Sequence, residues 1–303
     1  EVTFHLEQPQ PSFLALLAGG HSPVYPCHID AKTMRTAPIG TGPFKFVEMK
    51  QNERVVLEKN ENYWKEGLPY LDGIEWTIIK SRSTRVLAFT AGEFDMTFDS
   101  DVTIPLLKDE MVKELPGYGD DIEANRAKGQ EIMKSLGYGP DNMLKVKVAT
   151  RNIAVYRDPA VILIDHLKYV YVDAELEVIE TGNWYGRVGR KDYQVGLNLT
   201  GTGIDDPDVN FFENFSCGSQ RNYTAYCNEE LNELFKKQAG MTDVEERKKL
   251  VWEIDRRLQL DHARPVIHHN KAATCWQPYV KNVSRHVNSI YNAWRMEDWW
   301  MDK

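Results

Sequence analysis

Apolar and polar residues alternate along several short stretches of the chain. Between Gly73 and Lys80, Ile74, Trp76 and Ile78 fall on one side and predict a strand. Leu144, Val146 and Val148 do the same, with Lys145 and Lys147 opposite. The period then changes. Ala160, Leu163, Ile164, Leu167, Val170 and Tyr171 recur at helical spacing. Asp158 suits the N-cap of that helix and Pro159 its first position. Alternation returns over Glu175–Glu180. Strand, helix and strand in this order predict a βαβ unit with parallel strands and a right-handed crossover.

Further helices are expected over residues 122–136, ended by Gly137, and over 228–239 and 244–260. The last carries Leu250, Val251, Ile254 and Leu258 on one stripe. Strands are expected over Tyr193–Leu199, over Pro265–His268 and in the alternating opening Glu1–Leu6. The class is α/β, without internal repeats. The charged, Pro/Gly-containing stretch Lys108–Gly119 reads as a linker or domain crossing. The opening has neither a basic head nor an apolar run, so it does not resemble a signal peptide and looks like the middle of a domain.

Composition narrows the function classes. A chain of 303 residues can hold two domains, and 42% hydrophobic with 27% charged residues is ordinary for a folded protein. The net charge of −8 argues against a nucleic-acid partner, which wants a basic face. No apolar run reaches bilayer length.

Four cysteines, Cys27, Cys217, Cys227 and Cys275, form no CxxC. Cys217 and Cys227 bound a short polar loop, where a disulfide and two reduced thiols both fit the spacing. Cys27 and Cys275 can pair only where the chain ends meet. His268 and His269 are adjacent, with His262 six residues earlier; strand neighbours point to opposite faces, so no metal site is expected. There is no GxSxG elbow, Ser-x-x-Lys or phosphate-cradling glycine loop, so neither catalysis nor a cofactor is expected. The strongest local signal is the acidic turn Asp205-Asp206-Pro207-Asp208 after the strand Tyr193–Leu199. Ligands of α/β domains sit at such strand ends. Asp208 is equally placed to cap a helix over Val209–Phe215. Trp184-Tyr185 and the C-terminal Trp294, Trp299 and Trp300 suit core packing or stacking on a solute.

Four motifs between Pro38 and Met96 resemble the family 5 extracytoplasmic solute-binding proteins of ABC importers. They are IGTGPF, the step from Asn60 to Trp64, PYLDGI at Pro69–Ile74, and STR followed by AGEFDM. The resemblance resumes at Leu115–Asp141 and continues through DDPDVNFFENFSCGS, RNYTAYCN, the helix ending at Leu260, and Arg264–Lys271. It implies a type II periplasmic-binding-protein fold, two lobes with a hinge: residues 1–110 plus 262–303, and residues 115–261. Both lobes are incomplete, since the family's N-terminal portion and a block between Lys108 and Leu115 are missing. It further implies an extracytoplasmic, monomeric protein that captures a small peptide-like or oligosaccharide-like solute for a membrane permease. The implied ligand contacts are Asp205, Asp206, Tyr156, Arg157 and Trp184, with Asp205 on an amino group and Arg157 on a carboxylate. The acidic residue is displaced relative to dipeptide receptors, which place theirs near Thr202-Gly203. A disulfide between Cys217 and Cys227 is implied as well. The alternatives are a hydrolase grafted on the same fold and a truncated remnant serving as an interaction protein.

Overall fold

The computed structural model describes residues 2–7, 9–20, 22–98, 103–106, 119, 121–201, 204, 206–267, 269–272, 274–284 and 295–303, with the backbone alone at 82, 103–106 and 269–272. Asp205, His268, Trp294 and nearly all of the stretch Lys108–Gly119 lie outside them. The chain groups into two compact units. One comprises Glu1–Phe13, Leu107–Thr202 and Asp206–His269; the other comprises Leu14–Leu106, Gly203–Asp205 and Asn270–Lys303.

Short helices α1 (Phe13–Ala18) and α2 (Ala31–Thr36) come first. Of the expected opening strand Glu1–Leu6, the described residues Val2–Leu6 form no ladder and run as irregular chain. Strands β1 (Phe44–Lys50), β2 (Arg54–Lys59) and β3 (Gly73–Thr77) make an antiparallel meander. The turn between β1 and β2 uses Asn52 in the left-handed region, which asparagine tolerates. Gly73 is required by packing: a Cβ there would stand 2.6 Å from the Leu57 carbonyl oxygen on β2. Helix α3 (Arg82–Thr90) is capped by the Ser81 hydroxyl. Strand β4 (Met96–Thr97) precedes β5 (Thr103–Leu106). Burial in this unit is thin and, among the described residues, comes from Pro69, Ala88, Ile204, Val280, Glu297 and Trp299.

The other unit carries most of the core. Helix α4 (Ile122–Ser135) begins on an Asp121 cap, and Gly137 follows its end at φ +87°, as the sequence predicts. Strand β6 (Leu144–Arg151), helix α5 (Ala154–Leu167) and strand β7 (Val172–Ile179) form the expected βαβ unit, with β6 and β7 parallel over all eight residues. The helix starts earlier than Asp158-Pro159 suggests. Ile153 takes the N-cap position, and Pro159 lies inside the helix, forgoing one backbone bond. Helix α6 (Thr181–Gly189) leads to β8 (Val195–Gly196), which pairs parallel with β6, giving the order β7-β6-β8. Only these two residues of the expected strand Tyr193–Leu199 form a ladder.

Helix α7 spans Pro207–Phe215. Its cap is Asp206, not Asp208. Pro207 takes the first turn, which moves the helix start two residues upstream of the expected Val209. Helices α8 (Glu229–Ala239) and α9 (Val244–Leu260) are capped by Asn228 and Asp243. They pack with α7 around Phe211, Leu231, Phe235, Ile254 and Leu258. A second cluster, Ala149, Ile179, Trp184 and Val188, joins the sheet to α6. Of the expected strand Pro265–His268, the described residues Pro265–Ile267 form no ladder, and β9 is found at His269–Ala272. Strands β10 (Cys275–Trp276), β11 (Val280–Lys281) and β12 (Trp300–Met301) complete the chain; β10 pairs with β4 and β11 with β12. No helix among the described residues is long and apolar enough to cross a membrane.

Candidate functional site

Parallel strands end together, and the helices that follow them begin together. Their N-termini present unpaired N–H groups and a partial positive charge at one edge of the sheet. Here that edge is made by the ends of β6 and β7 and the starts of α5 and α6. Arg151 is the last residue of β6, opposite Ile179 of β7. Its guanidinium lies between two aromatic rings, 4.7 Å from the Tyr156 centroid and 5.5 Å from that of Tyr185. Nη1 donates to the Tyr156 hydroxyl at 2.8 Å, and Nη2 reaches Thr181 Oγ1 at 3.5 Å. Nε is buried without a partner. No described carboxylate pairs with this cation, although two rings favour the guanidinium. Beside it, Asn152 donates to Glu180 Oε1 at 2.8 Å. An adjoining depression of about 570 Å³ is lined by Glu177, Glu180, Asn183, Arg187 and Arg190. Hydrogen bonding to Arg187 holds the Glu177 carboxyl below the usual carboxylate range.

The acidic turn is occupied from within. Arg247 of α9 grips Asp206 with Nη1 to Oδ2 at 2.8 Å and Nη2 to Oδ1 at 2.7 Å, while Asp206 Oδ1 accepts the Asp208 N–H. The hydrogen bond to Asp206 raises the Arg247 pKa. Arg247 Nε also donates to Gln238 Oε1 at 3.1 Å, and Gln238 Nε2 donates to Asp208 Oδ1 at 2.9 Å. Gln238 is fully buried, so this network belongs to the interior joining α7, α8 and α9.

The remaining expected contacts fall in different settings. Tyr156 is half-buried and holds Arg151. Arg157 is exposed on α5, 3.6 Å from Asp158. Trp184 has no exposed surface and packs in the core, and its neighbour Tyr185 carries the exposed aromatic face. Sequence reasoning passed over Arg151. The available signal was its position: a lone arginine closing a strand that alternates toward a helix start.

Cys217 and Cys227 form a disulfide with Cα atoms 4.8 Å apart, whereas Cys27 and Cys275 are free thiols. Inside the loop, Asn222 donates to the carbonyls of Ser216 and Tyr226 at 3.1 and 2.7 Å. Burial and a hydrogen bond to Asp261 push the Tyr226 hydroxyl pKa up to about 12. Among the described residues, the one grouping of metal-type ligands is Cys217, Cys227 and Glu229, and its sulfurs are already bonded to each other. His262 is exposed and apart from it.

Residues 1–115 match the model for bacterial extracellular solute-binding proteins, family 5 Middle. The dipeptide-binding protein DppE of Bacillus subtilis is 27% identical over 167 residues, covering 50% of this chain and 30% of that protein. The nickel-binding periplasmic protein of Escherichia coli is 37% identical over 82 residues, 27% of this chain and 16% of that one. The chain thus spans a third or less of these curated relatives. Among solved structures, the murein tripeptide binding protein MppA of Escherichia coli superposes with a TM-score of 0.80 at 15% identity, covering 99% of this chain and 72% of that one. The DppA protein of Helicobacter pylori, in complex with a peptide, gives 0.77 at 19%, covering 99% and 72%. These likenesses show the fold of periplasmic binding proteins. The motifs between Pro38 and Met96 lie inside the matched segment, so residues 1–115 are similar to the family 5 bacterial extracellular solute-binding proteins, and the chain has the fold of periplasmic binding proteins.

Proposed function

We propose that the chain captures a small peptide-like solute for an ABC-type membrane permease, as the binding component and without chemistry of its own. The observation that carries this reading is Arg151: a cation clasped by two tyrosines at the carboxyl edge of a parallel sheet, with no described carboxylate to neutralise it. Such an edge is the usual ligand position in α/β domains. A carboxylate docking there would gain a charge-assisted bond and the converging dipoles of α5 and α6. That favours a peptide-like solute over an oligosaccharide. The peptide complexes among the relatives support the same class. A disulfide supports an oxidising, extracytoplasmic compartment.

In this reading Arg151, with Tyr156 as its support, takes the carboxylate role that the resemblance gave to Arg157. Asp205 remains the expected neighbour of the solute amino group, whereas Asp206 is already engaged by Arg247; residues 1–110 with 262–303 and residues 115–261 form the two lobes of the protein. The protein acts as a monomer, with no nucleic-acid partner.

Calorimetric titration with alanyl-alanine and with its C-terminal amide tests the proposal. The acid is expected to bind, and the amide or the Arg151→Ala variant to weaken binding roughly thirtyfold, about 2 kcal/mol. Equal affinity for acid and amide, or for wild type and variant, overturns the assignment.

A further inference from the structure

Among the described residues, Arg151 is not the only half-buried arginine of its unit without a carboxylate partner. Half-buried arginines in this unit are Arg126, Arg151, Arg187, Arg247, Arg257 and Arg264. Four of them hold carboxylates: Arg126 holds Glu123, Arg187 holds Glu177, Arg247 holds Asp206, and Arg257 holds Glu230. Arg151 and Arg264 hold none among the described residues. The sequence is not short of acids, with 45 Asp and Glu against 37 Lys and Arg. Leaving two partly desolvated guanidiniums without carboxylates is therefore costly unless something else neutralises them.

Arg264 follows α9. Its Nη1 donates to Thr200 Oγ1 at 2.9 Å and to Asn214 Oδ1 at 3.0 Å, both neutral acceptors. Its guanidinium carbon stands 5.9 Å from the Tyr223 ring, and Tyr223 is tied by its carbonyl to the Tyr193 hydroxyl at 2.7 Å. These partners fix one edge of the guanidinium and leave Nε and Nη2 without a described acceptor. Burial lowers the Arg264 pKa, the direction expected of a cation without its anion.

Position completes the argument. Thr200 lies where the chain leaves β8, beyond Leu197, whose carbonyl accepts from the hydroxyl of Thr150, the neighbour of Arg151. Three residues span at most about 11 Å. Arg264 therefore meets the same carboxyl edge of the sheet that Arg151 closes, over β8 instead of β6.

We propose that Arg264 is a second anion-binding residue and that the solute carries two carboxylates, one for each of the unpaired guanidiniums. This rests on the solute-binding reading of Arg151 and narrows it to an acidic solute. Thr200 and Asn214 orient Arg264 without neutralising it, and the Tyr223 ring supports its flank.

The test is a titration of the whole chain, labelled in arginine side chains, with glutarate, acetate and inorganic phosphate at constant ionic strength. The Nε–H resonances of Arg151 and Arg264 are followed, assigned with R151K and R264K. With glutarate both resonances are expected to shift together with one midpoint. R264K is expected to weaken glutarate tenfold or more while leaving the acetate midpoint at Arg151 within twofold. An Arg264 resonance that no anion moves, while that of Arg151 does move, overturns this inference and leaves the reading of Arg151 standing. Movement of Arg264 with phosphate but not glutarate overturns the carboxylate assignment. If neither arginine responds, both readings fail. Where R264K does not fold, the wild-type titration with resonances assigned by backbone correlation decides the matter alone.

Discussion

Replacing Arg247 by alanine removes a guanidinium that serves two groups at once. Asp206 loses a bidentate partner at 2.7 and 2.8 Å, and the fully buried Gln238 loses the donor on its Oε1. Side-chain exposures of 14% for Arg247 and 17% for Asp206 place the pair between surface and interior. Breaking a fully buried pair costs about 3–5 kcal/mol and an exposed one at most about 1. An intermediate value of about 2 kcal/mol is expected for the carboxylate. The orphaned Gln238 acceptor adds about 1 kcal/mol. Urea unfolding followed by far-UV circular dichroism should therefore show a loss of about 3 kcal/mol at unchanged slope. The Asp206→Asn variant breaks the charge pair but keeps a competent helix cap, so it should lose less, about 1–2 kcal/mol. A loss below 1 kcal/mol for R247A would mean that water replaces the guanidinium freely and that the network is not part of the interior.

Other perturbations follow from single geometries. Reducing the Cys217–Cys227 bond opens a loop of sequence separation 10, and a stability loss of about 3 kcal/mol should appear in urea unfolding with reductant. Gly73→Ala should cost about 1–3 kcal/mol and lower the melting temperature, because the added Cβ meets the Leu57 carbonyl at 2.6 Å and the antiparallel ladder leaves it nowhere to go. The Tyr226 hydroxyl, raised in the fold to about 12 from an ordinary 10, contributes stability that is fully present below pH 10 and lost as pH rises toward 12. Absorbance at the tyrosinate band should lose one late-titrating component in Tyr226→Phe, together with a smaller fall in stability over that window.

Local order was legible wherever a hydrophobic period ran without a competing signal. The apolar stripe of α9 set it at Val244–Leu260, and the alternation of β6 and β7 around an intervening helix made their parallel pairing predictable. Those are near-neighbour effects, decided by spacing along one element. Misplacements occurred where two local signals competed. Asp158-Pro159 reads as a helix start, yet the backbone of Ala154 to Asp158 is already helical, because a proline near the N-terminus sacrifices only one bond. Asp208 reads as the cap of a helix from Val209, yet Asp206 caps it, because Pro207 fits the first turn.

The sequence by itself determined the α/β class, most helices, and through its motifs a family resemblance confined to residues close together in the chain. Tertiary structure alone decided which charges are neutralised. Asp206 meets Arg247 across 41 residues, Arg264 meets Thr200 across 64, and Arg151 finds Tyr185 across 34. Spacing rules do not extend to such separations, since the chain between can return by many paths. Whether a carboxylate is a structural partner or open to a solute therefore depends on the packing of whole elements. That packing buried Trp184, engaged Asp206 and, among the described residues, left the guanidiniums of Arg151 and Arg264 without acids.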